Sequence, residues 1–380
     1  MSDTLSSYTV NRNNNFNLIR FVAALLVLIT HSFALSSGTA DAEPFRATLG
    51  ITLGNFAVDV FFVTSGFLIT GSLFARNNLI AFVWARMLRI YPALIVAILF
   101  CVFAVGLYFT TLSFWEYISN NQTHKYLVKN ILLFFGINYN LPGVFADTPY
   151  VNVINGSLWT LPYEVKMYAI LVIFGSILLS IEKWFNQNRA KVPIFGYCLL
   201  IVVVVAIVAN IINQSYLFMN KYALHLFTMF FIGATFYVWR EKIIISELVV
   251  LLILLILIPA TLNKQIFFIF YSIFIPYIVF YIAYVPTGKI RLFNQLGDYS
   301  YGMYIYAFPV QQSIATLIVG ISVGMMIAIS FVITLLLAIL SWHLVEKRSL
   351  RLKNKYILVD SLIINIRFKI MSAWVKLYKS

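Results

Sequence analysis

Phe16-Asn-Leu-Ile-Arg-Phe-Val-Ala-Ala-Leu-Leu-Val-Leu-Ile-Thr-His-Ser-Phe-Ala-Leu-Ser36 has the length and apolar content of a membrane span, yet it contains Arg20 and His31. At about 100° per residue, eleven steps return His31 to within about 20° of Arg20, about 16 Å further along the helix. The two side chains therefore share a face. That face is not lipid-exposed without a cost of a few kcal/mol for the arginine alone, so it lines a cavity or meets a partner. The plainer alternative is an arginine that snorkels to the interface and a histidine bonded to a backbone carbonyl.

The rest of the chain supports a membrane setting. Of 380 residues, 62% are hydrophobic and 11% charged, with a mean hydropathy of +0.90. The fold class expected is an all-α polytopic membrane protein with about ten spans, near 16–36, 52–74, 87–109, 157–180, 193–212, 221–239, 246–262, 266–285, 300–320 and 323–345. A further apolar piece, Tyr126 to Ile137, is too short to cross and reads as amphipathic or re-entrant. With the N-terminus inside, cytoplasmic segments hold 20 Lys and Arg, and outer loops hold five: Arg46, Lys125, Lys129, Lys221 and Lys264. The positive-inside rule then places both termini in the cytoplasm. Residues 1–15 form a short polar segment with no signal-peptide pattern after it, 16–345 one membrane domain, and 346–380 a basic tail with an interfacial helix near Ile357–Tyr378.

The net charge of +14 would point to nucleic acid in a soluble protein. Here the basic residues sit in loops and a tail facing anionic lipid, so membrane lipids are the partner and nucleic acid is not. Cys101 and Cys198 fall in apolar stretches, which argues against a disulfide or a zinc site; no metal is expected.

Polar residues concentrate in the first four spans. The second carries Asp59 in Val58-Asp-Val-Phe-Phe-Val-Thr-Ser-Gly-Phe-Leu-Ile69, where a carboxylate, Ser65 and Gly66 suggest a close helix contact around a polar pocket. Arg86 and Arg89 are three apart, hence neighbours on one face, and two guanidinium forks suit a phosphate; a membrane-interface anchor explains them equally well. The fourth span opens Ser157-Leu-Trp-Thr-Leu-Pro-Tyr-Glu164. Glu164 needs a compensating partner, either near His31 or an arginine. His124, His225 and His343 read as solvated, packing or interface residues, and Glu346 as a structural partner of an arginine. Tyr299, Tyr301, Tyr304 and Tyr306 line a sugar-binding face or belong to an aromatic belt.

Taken together, these segments resemble the membrane acyltransferase family 3 proteins, bacterial O-acyltransferases of surface glycans, from Asn15 to about Glu346. The matching blocks are Arg20 with His31, Val58–Ile69, Arg86-x-x-Arg89-Ile-x-Pro92, Ser157–Glu164, Ser300-Tyr-Gly-Met-Tyr-Ile-Tyr-Ala-Phe-Pro309 and Val345-Glu-Lys347. Two departures stand out. Many relatives have a histidine where this chain has Ala307, and a proline where it has Arg348. The first shifts weight onto His31. Some relatives carry an appended hydrolase-like domain, for which this chain has no room.

The resemblance implies transfer of an acyl group, most often acetyl, from acyl-coenzyme A to a sugar hydroxyl of O-antigen, capsule or exopolysaccharide, free or lipid-linked. The expected location is the bacterial inner membrane. Imidazole suits removal of a hydroxyl proton near pH 7, so His31 is the candidate base or acyl carrier, with Glu164 or Asp59 orienting it. Arg86 and Arg89 would hold the phosphates of acetyl-CoA, and Arg20 would assist them or polarise the thioester. Trp159, Tyr163 and Tyr304 are the candidate acceptor-binding residues. The rival reading is a glycolipid or solute transporter, which would show internal repeats and paired broken helices; no convincing repeat is present. A non-catalytic partner in a polysaccharide assembly complex would tolerate loss of His31.

Overall fold

The structure is a computed structural model describing residues 4–10, 13–75, 78–188, 193–216, 219–357 and 360. Among these residues it is helical throughout, with no strand beyond two isolated bridges. The principal helices are α1 (Phe16–Ser37), α2 (Leu53–Phe74), α3 (Leu79–Leu99), α4 (Asn121–Leu132), α5 (Leu161–Asn188) and α6 (Ile194–Tyr216). There follow α7 (Lys221–Val238), α8 (Glu247–Ala260), α9 (Lys264–Tyr284), α10 (Ser300–Leu317) and α11 (Val323–Ser341).

Helices underlie all ten segments expected to cross, but seven of the described helices are long and apolar enough to do so. The shortfall has a physical reason. α8 is apolar but only 14 residues long. α7 is diluted by Lys221 and His225, and α10 by the buried Gln311 and Gln312. The third expected span starts eight residues early, at Leu79, because Asn78 caps the helix by accepting from the backbone N–H groups of Ile80 and Ala81. Arg86 and Arg89 lowered the hydropathy of this first part, so they lie within the helix and not at its start. Its far end passes into a π-helical segment, Phe100–Gly106.

The short apolar piece is α4, which begins at Asn121 and stops at Leu133, whose φ is 60°. Asn130 fastens the following loop by exchanging two 2.9 Å hydrogen bonds with the backbone of Asn138. The interfacial helix expected near Ile357–Tyr378 falls almost wholly outside the described residues.

In a bilayer, helices gain little from burying apolar surface against each other, so close packing and polar contacts hold them. The tightest approach is between α2 and α7. A Cβ on Gly66 would lie 1.8 Å from the Phe230 carbonyl oxygen, and one on Gly233 would lie 2.0 Å from that of Val63. Only glycine permits this contact. Beside it, Asp59 receives Nε2 of His225 from α7 at 2.9–3.0 Å and the hydroxyl of Tyr271 from α9 at 2.8 Å. Asn15 ties the start of α1 to the end of α9, donating to the carbonyls of Ile282 and Pro286 at 3.0 and 2.9 Å. α1, α2 and α10 form the heart of the assembly, where Gln311 donates to the Leu28 carbonyl at 2.8 Å and to Ser32 Oγ at 2.7 Å.

Candidate functional site

α1 presents Arg20 and His31 to a row of neighbouring cavities that share lining residues, as their spacing requires. At the His31 end is a chamber of about 420 Å³ whose walls include Trp159, Tyr222, Tyr304 and Phe308. Val58 and Tyr304 are shared with a neck of about 40 Å³, which is also lined by Arg20, Phe61, Phe62 and Leu161. Arg20, Ser65, Glu164 and Tyr301 are shared in turn with a pocket of about 60 Å³ that holds Arg86 and Arg89.

His31 is half-buried, with its ring edge-on to Phe308 at 5.0 Å between centroids. Its Nδ1 is buried without a hydrogen-bond partner among the described residues. Neither expected carboxylate orients it. Glu164 Oε1 accepts from Ser65 Oγ at 3.2 Å and from the Tyr168 hydroxyl. Asp59 is committed to His225 and Tyr271. The helical wheel of α2 explains the latter. Asp59 lies within about 20° of Gly66, on the face packed against α7, and about 120° from Ser65, which faces the pocket. The expected close helix contact is therefore present, but Asp59 belongs to that contact and not to the His31 chamber.

The arginines are also held. Arg20 Nη1 contacts Asp298 Oδ2 at 3.2 Å, and its guanidinium sits 5.7 Å over the Phe61 ring. Arg89 pairs with the same Asp298 oxygen and, through Nη1 at 3.0 Å, with Glu346. Burial pushes the Asp298 carboxyl upward, but Arg89, Arg20 and two hydrogen bonds from Ser300 outweigh it and hold it at about 2. The pairing expected of Glu346 is thus with Arg89. Arg86 lines the same pocket. Any anion bound there would share these guanidinium groups with Asp298 and Glu346.

Of the candidate acceptor residues, Trp159 and Tyr304 line the chamber and Tyr163 does not. Tyr163 meets Trp159 edge-on at 6.0 Å and so buttresses it. The Tyr304 hydroxyl is 2.6 Å from Thr160 Oγ1, at the junction of chamber and neck. Of the other histidines, His225 packs as expected, through Asp59, and His343 lies near the exposed Tyr299 hydroxyl at 3.4 Å.

Sequence reasoning missed Asp298, Tyr168, Tyr222 and the loop pair Glu43 and Arg46, which also reach the chamber. Tyr168 carried a signal, standing one helical turn after Glu164. Asp298 carried none, because it is in a loop 278 residues from Arg20. Burial raises the Glu43 carboxyl above its ordinary range, against the pull of Arg46.

The family profile described as "Acyltransferase domain" matches residues 13–343. Among curated proteins, the chain is 30% identical to the O-acetyl transferase of Shigella phage Sf6, over 92% of this chain and the whole of that protein. It is 26% identical to Nodulation protein 10 of Rhizobium leguminosarum bv. viciae, over 63% of this chain and 61% of the relative. No solved structure matches it significantly.

Proposed function

For this chain, which belongs to the acyltransferase family, we propose an O-acetyltransferase that moves acetyl from cytosolic acetyl-CoA to a hydroxyl of a surface glycan. The observation that carries this reading is that the arginine pocket, the neck and the His31 chamber lie side by side and share lining residues. With about ten crossings and both termini in the cytoplasm of a bacterial inner membrane, the arginine pocket faces the donor and the chamber faces the acceptor.

In this reading Arg86, with Arg89 and Arg20, binds the donor phosphates. The thioester enters the neck, where Arg20 and the Tyr304 hydroxyl are the polar groups nearest its carbonyl. A glycan hydroxyl in the chamber gives its proton to the neutral His31 imidazole as its oxygen attacks the thioester carbon. The C–O bond forms, the C–S bond breaks, and the coenzyme A thiolate takes up the proton that His31 held. Trp159 and Tyr304 bind the acceptor. Glu164 holds α5 to α2 through Ser65 and is a positioning residue in this scheme.

The test is transfer of labelled acetyl from acetyl-CoA to non-acetylated surface polysaccharide by membranes containing wild type or His31→Ala at equal expression. Labelled polysaccharide with wild type only is expected. Equal labelling by both would overturn the role of His31, and none by either would overturn the activity. A cysteine at position 31 labelled only by cytosol-restricted reagents would overturn the orientation.

A further inference from the structure

The His31 chamber has a wall that the transfer chemistry leaves unused. The loop between α1 and α2 brings Glu43 and Arg46 to it. The Glu43 side chain is only 8% exposed, against 40% for Arg46. Both Arg46 contacts, from Nε at 3.2 Å and Nη2 at 2.5 Å, fall on Oε2 of Glu43, so Oε1 carries neither. Between the two residues Phe45 has a φ of 66°, a left-handed conformation that a bulky residue keeps only where its surroundings impose it. Nearby, Asn55 uses Oδ1 to receive the backbone N–H and the hydroxyl of Thr52, which leaves its Nδ2 outside that cap. The aromatic wall is built on Trp159, which meets Tyr222 edge-on at 5.5 Å.

A buried carboxylate fixed through one oxygen, in a chamber that aromatic rings also line, has the chemistry of a sugar site. The free oxygen accepts from hydroxyls, and the rings cover the apolar C–H face of the pyranose. The formal charges of Glu43 and Arg46 cancel, so the pair offers no net attraction to an anion. An acidic sugar would instead bring a second carboxylate toward Oε1, and like charges in a poorly solvated site repel strongly.

We infer that Glu43, held in place by Arg46, selects the acceptor, and that the ring it selects is an uncharged pyranose with adjacent hydroxyls. This rests on the acetyl-transfer reading above and narrows it to one class of sugar. Glu43 touches the acceptor and Arg46 acts through Glu43 as a positioning residue.

The experiment uses the full chain reconstituted in liposomes, labelled acetyl-CoA, and polysaccharide isolated from a strain lacking the gene. Wild type should place acetyl on a neutral ring, located by NMR. Glu43→Gln should lower kcat/KM for the polysaccharide by about tenfold or more, as expected for loss of a hydrogen bond to a charged group, with the KM for acetyl-CoA unchanged. Arg46→Gln should act in the same direction but less strongly, and Glu43→Asp should recover part of the loss. Acetyl found on a uronic acid would overturn the inference even if neither variant folds. Wild-type acceptor kinetics in Glu43→Gln would overturn it as well. If wild type labels no glycan at all, the acetyl-transfer reading itself fails and this inference falls with it, an outcome distinct from the other two.

Discussion

The two ends of the cavity row are built in opposite ways. In the arginine pocket, a space of about 60 Å³, the lining residues Arg20 and Arg89 are paired with Asp298 and Glu346. In the chamber, about 420 Å³ is walled by aromatic, aliphatic and polar side chains, and His31 Nδ1 has no partner among the described residues. A buried charge must be paired or the site does not hold together, so the pocket is a fastening as much as a binding site. A neutral imidazole can be left unfastened at smaller cost and keeps its capacity to take a proton. Charge pairing thus fixes the walls at both ends, in the chamber through Glu43 and Arg46, and the unpaired His31 marks where chemistry has room.

The sharpest way to break this contrast is His31→Ala. Transfer should fall by about 100- to 10,000-fold, the usual worth of a general base, with thermal stability unchanged in detergent. A large drop in stability would mean that His31 is a fastening too. Arg89→Ala should do the reverse, destabilising the protein by about 3–5 kcal/mol because Asp298 loses one of its two arginines and Glu346 its ion-pair partner among the described residues. Wild-type thermal stability in that variant would remove the distinction between the ends.

Smaller effects sharpen the comparison. Asp59→Leu leaves His225 and Tyr271 unsatisfied between α2, α7 and α9, and should cost about 1–3 kcal/mol of stability. Transfer per folded molecule should persist, whereas its loss would return Asp59 to the reacting centre. The smallest effect is on acid stability. Because the folded-state value of Asp298 lies below its ordinary 3.8, its contribution is complete above that value and disappears as pH falls toward about 2. Acid unfolding of an Asp298→Asn variant should lack this component, which a comparison of unfolding midpoints between pH 5 and pH 2 would detect.

What the sequence disclosed and what it withheld follow from the range of the signals. Arg20 and His31 share one helix, so periodicity alone gives their common face. The pairing of Glu346 with an arginine and the close contact at Gly66 were also legible, from a buried charge and a small residue. The partners Asp298, His225 and Tyr271 come from distant segments and depend on how helices are arranged. Periodicity of a single segment carries no such information. Counting spans by hydropathy and by helix length gives different numbers where length and burial part company. α8 is apolar but short, and α10 is buried among protein groups that hydropathy counts as polar.

The narrowness of the neck has a consequence beyond the reaction. A chain of water-filled spaces across any membrane is also a path for protons. Between the two ends Phe61, Phe62 and Leu161 line a cavity of only about 40 Å³, beside Arg20, Ser65, Thr160 and Glu164. A space that small holds very few water molecules, so the waist that admits a substrate's reacting group leaves little room for a water wire.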